Sequence, residues 1–159
     1  MTGLTYAATL ITALGCGLVA GVFFAFSSFV MPALKRLPPA QGISAMRSIN
    51  RLAVTLAFMT ALFGTAAACL VLIAWAVISW GDRSATPVLA GAALYLVGAM
   101  GTTVFRNVPL NERLARLHPH DAGATGFWDE YLTKWTAWNH VRTATSLAAA
   151  TALTAALQA

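Results

Sequence analysis

The prediction of this fold starts from one polar and aromatic stretch, Trp128-Asp-Glu-Tyr-Leu-Thr-Lys-Trp135-Thr-Ala-Trp138-Asn139-His140-Val-Arg142-Thr143. Helical spacing places its large aromatic and polar side chains on one broad stripe: Trp128, Tyr131, Trp135, Trp138, Asn139 and Arg142. His140 lies about 100° around the helix from Asn139, on the face of Thr133, Thr136 and Thr143. Because an apolar run follows, the stretch is predicted to mark the entry of a helix into a membrane.

Two interpretations of this stretch are open. Trp and Tyr at the end of an apolar helix usually form an interfacial belt, and an Arg there usually extends to lipid phosphate. However, Asn139, His140 and Arg142 are costly at the entry into lipid unless other groups pair with them. Their clustering therefore favours a polar site.

Composition indicates an integral membrane protein. Of 159 residues, 58% are hydrophobic and only 9% are charged, whereas soluble domains carry about 25% charged residues. The mean hydropathy is +0.71. The length allows one domain, residues 1–159. The net charge of +5 comes from residues that flank apolar runs, so the predicted partner is the lipid bilayer and not nucleic acid.

Four apolar helices are predicted, and the fold class is an all-α four-helix transmembrane bundle. The helices cover about 4–33, 43–79, 88–105 and 127–157, each with the roughly 20 apolar residues that a bilayer requires or nearly so. Helices two and four are predicted to extend past the membrane on the cytoplasmic side. Pro109 removes a backbone donor, so a kink or a restart is expected there.

The basic residues predict the topology of this bundle. Nine of the ten Lys and Arg residues lie in or beside the first and third connections, and Arg83 alone lies in the second. These two connections are therefore predicted to be cytoplasmic, with both termini outside the cell membrane. The polar ends of three helices then converge at one membrane face: Asn50, Arg51, Arg106, Asn107, Asn111, Asn139, His140 and Arg142.

Small residues predict where helices approach closely. Cys16 and Cys69 are expected at similar depth on neighbouring antiparallel helices, and packing is favoured over a disulfide or a metal pair. Gly17 and Gly21 form a small-xxx-small pair. A second slim flank, which also presents two hydroxyl groups, is formed by Gly91, Tyr95, Gly98 and Thr102.

Several kinds of chemistry have weak support. A His-ligated metal would need His118, His120 and His140, with Glu112 or Glu130 as a further ligand, but no His-x3-His or Glu-x-x-His pair lies within a span. No Ser or Cys has a His and carboxylate partner set, and no Gly-rich phosphate loop occurs. What remains is a pocket in which His140 accepts a proton, Arg142 or Arg106 binds an anion, and asparagines hydrogen-bond a carbonyl or enolate.

Four motifs carry a resemblance that covers nearly the whole chain: Phe23-Phe24-Ala-Phe26-Ser-Ser-Phe29-Val-Met-Pro32, Ser48-Ile-Asn50-Arg51, Asn107-Val-Pro109-Leu-Asn111 and Trp135-x-x-Trp138-Asn139-His140-Val-Arg142-Thr143. With them the sequence resembles a family of small four-span membrane proteins, mostly of unknown function, that includes anthrone oxygenases. The resemblance implies oxidation of an anthrone-type aromatic molecule by O2, without an added cofactor.

Site roles follow from this resemblance as expectations. His140 would be the base, Asn139 and Asn107 would bind the developing phenolate, and Arg142 would support its charge. The predicted substrate-binding set is Asn111, Trp135, Trp138, Asn50, Arg106 and Tyr95. The competing expectation is a non-enzymatic membrane protein that binds a lipid or a small hydrophobic ligand, or a structural bundle that forms a homo-oligomer.

Overall fold

The computed structural model describes residues 1–118, 121 and 123–159, and within them the protein is all-α, with five helices and no strand. These helices are α1 (Gly3–Lys35), α2 (Pro39–Leu52), α3 (Leu56–Ile78), α4 (Ala85–Arg116) and α5 (Ala124–Ala156). Three of them, α1, α3 and α4, are long and apolar enough to cross a membrane. The prediction of an all-α membrane protein is confirmed to this extent. Although α5 has 33 residues, it does not reach the same hydropathy.

The main buried cluster lies where α1, α3, α4 and α5 contact one another. Cys16 and Cys69 are fully buried in it as free thiols, and their side chains contact each other across α1 and α3. The predicted cysteine pairing by depth is therefore confirmed. Outward-facing side chains along these helices are large and apolar, as a lipid surface requires, and include Ile11, Leu14, Leu18, Leu70, Val71 and Val97.

Glycine decides how closely α4 and α5 approach. A Cβ atom on Gly91 would lie 2.8 Å from Leu153, and one on Gly98 would overlap Thr145. The prediction of a slim flank on α4 is confirmed. The prediction for Gly17 and Gly21 is wrong, because added Cβ atoms there would meet nothing within 4 Å.

The second predicted helix is broken. A continuous helix was expected over 43–79, but α2 ends at Leu52 and α3 begins at Leu56. Thr55 is extended, with φ −95° and ψ 152°, and its hydroxyl oxygen accepts a hydrogen bond from the backbone N–H of Phe58 at 3.2 Å. A threonine that caps a new helix competes with continuation of the preceding one, which accounts for the break.

Pro109 does not restart the third predicted helix. In α4 the backbone hydrogen bonds widen to the π pattern over Leu94–Gly101 and Thr103–Asn107. Regular α-helix resumes at Val108, so Pro109 occupies a first-turn position, where its missing N–H costs little. The locally wider helix thus accommodates the proline within one continuous element.

A second buried cluster forms where α2 packs against the first turns of α5. Gly42 of α2 faces the Trp128 ring so closely that a Cβ atom would lie 2.7 Å from it. Tyr131 and Trp135 continue this cluster toward the polar residues of α4 and α5. This end of the protein, called the site end below, carries the candidate site.

Candidate functional site

One buried face of α5 contributes most of the aromatic and polar side chains of the site. Trp128, Tyr131, Trp135, Asn139 and Arg142 are all buried, which confirms most of the stripe expected from helical spacing. The Trp128 and Tyr131 rings stack with centroids 5.6 Å apart and planes 12° apart, and the Tyr131 and Trp135 rings stack at 6.2 Å and 24°. Such stacking fixes the direction in which the polar atoms of these rings point.

Asn111 of α4 accepts hydrogen bonds from two of these rings. Its side-chain oxygen accepts hydrogen bonds from the Tyr131 hydroxyl at 2.7 Å and from Trp135 Nε1 at 2.8 Å. Burial raises the pKa of Tyr131, so the hydroxyl keeps its proton and remains a donor near neutral pH. One turn earlier in α4, Asn107 Nδ2 donates to the carbonyl oxygen of Trp135 at 3.1 Å. Two amides therefore connect α4 to α5 on either side of Pro109.

Asn139 connects α5 to α1. Its Nδ2 donates to the carbonyl oxygen of Phe23 and to the hydroxyl of Ser27, each at 2.6 Å. These acceptors lie where α1 changes to a π pattern over Phe26–Val30. Asn139 itself is fully buried, so the contact aligns the two helices at the depth of the site.

Arg142 is the charged residue of the site, and only 5% of it is exposed. It donates to Asn139 Oδ1 at 2.6 Å and, more weakly, to Thr103 Oγ1 at 3.4 Å. Its guanidinium lies over the Phe23 ring at 4.1 Å and the Trp135 ring at 5.0 Å. Two cation–π contacts thus hold a charged plane in place.

A cavity of about 550 Å³ opens beside this cluster and is called the inner cavity. Its volume lies in the range of small-molecule sites. The polar lining includes Asn50, Thr103, Asn111 and Arg142; the apolar lining includes Phe23, Phe26, Ile49, Phe58, Met59, Leu62, Phe63 and Trp135. The exposed Leu52 and Val54 of the α2–α3 break also line it. The cavity therefore reaches the surface at that break.

His140 does not belong to the inner cavity. Its side chain is exposed and lines a separate groove of about 720 Å³ between α1 and α5, called the outer groove. Thr133, Thr136, Asp129, Lys35 and Pro32 line the same groove. The expected convergence of His140 with the asparagines is corrected here, because a rotation of about 100° from Asn139 turns the imidazole to another face of α5. The role of His140 as a base stays a prediction.

Three of the predicted substrate-binding residues also lie outside the inner cavity. Tyr95 is buried in the core, and its hydroxyl donates to the carbonyl oxygen of Leu62 at 3.0 Å, within a π segment of α3. Arg106 lies 4.8 Å above the Trp138 ring, and neither residue lines the cavity. Asn50, Asn111 and Trp135 do line it.

The sequence did not predict Thr103 or Phe58 as site residues. Thr103 lies four residues before Asn107 in α4, so helical spacing could have placed it on the same face. Phe58 follows the α2–α3 break, and no periodic signal assigned it to a cavity.

No cluster of metal-ligating side chains supports the metal hypothesis in the part of the chain that the structure describes. Within 1–118, 121 and 123–159, no three His, Cys, Asp or Glu side chains come together as a metal site would require. His120, one of the three histidines considered above, lies outside the described residues.

Comparison with known proteins adds one finding. A family model described as anthrone oxygenase matches residues 52–152. The matched region covers α3, α4 and most of α5, and it contains the asparagines and the arginine of the cluster. No curated protein and no solved structure matches the chain.

Proposed function

Because this chain belongs to the anthrone oxygenase family, we propose that it is a membrane-embedded oxygenase that binds a hydrophobic, anthrone-type aromatic substrate in the inner cavity. O2 is the co-substrate. The observation that carries the proposal is the inner cavity itself, which combines aromatic walls with one buried guanidinium.

The walls suit a flat aromatic ligand. Phe23, Phe26, Phe58 and Trp135 line the cavity, and rings of this kind bind other rings by offset or edge-to-face stacking. The polar groups of the lining are few, namely Asn50, Thr103, Asn111 and Arg142. A ligand with an apolar body and one polar edge is complementary to such a surface.

The reaction proposed is oxidation of the central methylene of an anthrone. Loss of one C10 proton gives an electron-rich carbanion, stabilised as a phenolate, that reacts with O2. One oxygen atom then becomes the new carbonyl oxygen of the anthraquinone, and the other leaves in water together with both C10 hydrogens. Arg142 and Asn111 would stabilise the negative oxygen of the carbanion, since hydrogen-bond donors aimed at developing charge lower such barriers.

His140 has no role in the proposed reaction. A substrate in the inner cavity would not reach an imidazole that faces the outer groove on the other side of α5. A base at His140 would instead require the substrate to bind in the outer groove. The inner cavity and the outer groove are therefore two alternative locations for the reaction, and experiments can distinguish them.

We also propose that the chain crosses the cell membrane four times, with both termini outside. Support comes from the three apolar helices α1, α3 and α4 and from the basic residues at their site end. The C-terminal half of α5 would supply the fourth crossing, because no Asp, Glu, Lys or Arg follows Arg142. Reporter fusions at the second and third connections would test the orientation; an outward-facing third connection would contradict it.

Oxygen uptake tests the proposed activity. Purified protein in detergent micelles is mixed with emodin anthrone, and oxygen consumption and emodin formation are followed together. We expect one O2 consumed per emodin formed, at a rate well above that in protein-free micelles. A rate equal to spontaneous autoxidation would overturn the assignment as an oxygenase.

A non-enzymatic role has one observation in its favour. Asn107, Asn139 and Arg142 donate to other groups of the bundle, as they would if they served only to connect helices. That role predicts that substitutions in the cluster lower stability while no anthrone turnover occurs in the wild-type protein. The same oxygen measurement separates the two functions.

A further inference from the structure

Arg142 has unused hydrogen-bond donors and no counter-ion within the described part of the chain. A guanidinium carries five N–H groups. Arg142 donates through one terminal nitrogen to Asn139 and through the other to Thr103, while Nε has no partner. None of the five Asp and Glu residues forms an ion pair with it.

The surroundings of Arg142 do not neutralise its charge. Tyr131 is an ionisable side chain close to Arg142, and burial raises the pKa of that phenol, so it stays uncharged. The other close groups are the rings of Phe23 and Trp135, the Asn139 amide and the Thr103 hydroxyl. Among the cavity-lining residues, all of which the structure describes, Arg142 is the one titratable side chain. A buried cation of this kind is costly unless an anion joins it.

We propose that the inner cavity binds its ligand as an anion, a planar aromatic molecule whose ionised hydroxyl group lies against the Arg142 guanidinium. Only the aromatic class of this ligand rests on the proposed function; the negative charge rests on the missing counter-ion. On binding, the ligand O–H bond breaks, its proton passes to bulk water, and its electron pair stays on the oxygen. No electron is transferred in this step.

For an anthrone substrate, the same charge would favour the phenolate tautomer that reacts with O2. The cavity would then promote ionisation through its positive field, and no carboxylate or imidazole would be needed inside it. A charge opposite to that of the ligand stabilises the ionised form and lowers the pKa of the ligand.

The probe for this proposal is emodin, a hydroxyanthraquinone whose colour changes on ionisation and which is not itself an anthrone. Its absorbance is titrated with pH in micelles, with and without the protein in excess. We expect the pKa of emodin bound to the wild-type protein to be at least about one unit below its pKa in protein-free micelles, a tenfold change in the ionisation equilibrium. No difference would overturn the proposal.

Four variants separate the effect of the Arg142 charge from the effect of a disturbed fold. Arg142→Gln should abolish the pKa difference, and Arg142→Lys should keep part of it. Thr103→Asp should also abolish it, because an internal carboxylate beside Arg142 replaces the ligand as counter-ion, and this variant tests the proposal even if Arg142→Gln does not fold. The exposed Arg116, which pairs with Glu112, provides the matched control Arg116→Gln, which should behave as wild type. An unchanged difference in Arg142→Gln or in Thr103→Asp would contradict the proposal.

Further results separate the proposed anion site from the oxygenase activity and from a lipid-binding site. A lowered pKa of bound emodin without any anthrone oxidation would uphold the anion site and refute the oxygenase. Anthrone oxidation without a lowered pKa of bound emodin would uphold the oxygenase and refute the anion site. If laurate binds in an Arg142-dependent manner and displaces emodin that shows no pKa difference, the anion is a lipid carboxylate, and the aromatic assignment is wrong.

Discussion

Arg142 donates a hydrogen bond of 2.6 Å to the side-chain oxygen of Asn139, three residues earlier in α5. This bond determines which way the Asn139 amide faces, because its oxygen accepts from Arg142 and its nitrogen is left to donate to α1. The orientation of a buried charge and the contact between two helices therefore depend on one side chain.

Replacement of Asn139 should destabilise the protein. Asn139→Ala removes the donor to the Phe23 carbonyl and the acceptor for Arg142, and we expect a loss of about 1–3 kcal/mol in the free energy of unfolding. Its exposed neighbour His140 provides the control, since His140→Ala should change this free energy by less than about 0.5 kcal/mol. Denaturation of both variants in mixed micelles measures the difference. Equal losses would contradict the described burial.

Two glycines of α4 offer a matched test of helix packing. Gly98→Ala introduces a methyl group against Thr145 of α5, whereas the nearest atom to a methyl at Gly101 is a carbonyl oxygen at 3.7 Å. Overpacking typically costs about 1–3 kcal/mol, so Gly98→Ala should lower the thermal midpoint clearly. Gly101→Ala should leave it unchanged or raise it, because alanine favours helix. Similar midpoints for the two variants would argue against the α4–α5 contact.

The α2–α3 break should depend on the Thr55 cap. Thr55→Val removes the acceptor for the Phe58 N–H, at a cost of about 1 kcal/mol. Thr60→Val, in the same helix but away from the cap, serves as control. Hydrogen exchange should show faster exchange at the Phe58 amide in the first variant only. Unchanged exchange in Thr55→Val would mean that the cap does not form.

Tyr131 and Trp135 share one acceptor, so their substitutions should not be additive. Tyr131→Phe and Trp135→Phe each leave the Asn111 oxygen with one donor, but the double variant leaves it with neither. We expect the double variant to lose about 1 kcal/mol more than the sum of the single losses. Tyr6→Phe, at an exposed position on α1, is the control for loss of a phenol hydroxyl. Strict additivity would show that Asn111 is not shared.

Several features of the fold could be predicted because they depend on local periodicity. Offsets of three, four and seven residues were sufficient to place Trp128, Trp135 and Arg142 on one buried face of α5. Cys16 and Cys69 were expected at similar depth on neighbouring helices, and they are buried there side by side. The slim flank of α4 at Gly98 was predicted from the same spacing, because small residues at helical intervals let a neighbouring helix approach closely.

Other features depend on contacts that a periodic pattern does not contain. The break before Leu56 results from a single cap at Thr55 inside an apolar run. Continuity through Pro109 depends on a π segment, and no composition signal marks it. His140 was assigned to the asparagine site because the polar ends of three helices were expected to converge at one membrane face, but its rotation of about 100° from Asn139 turns it to another side of α5.

The proposed place of oxidation is the inner cavity and not the outer groove. Two equal substitutions test it, because Ala53 lines the inner cavity and Ala137 lines the outer groove. Steady-state oxygen uptake with emodin anthrone should fall about tenfold or more in Ala53→Trp, equivalent to about 1.4 kcal/mol in transition-state free energy, and should stay within about twofold of wild type in Ala137→Trp. The reverse pattern, with activity lost only in Ala137→Trp, would place the chemistry beside His140 and rule out the inner cavity as the site of oxidation.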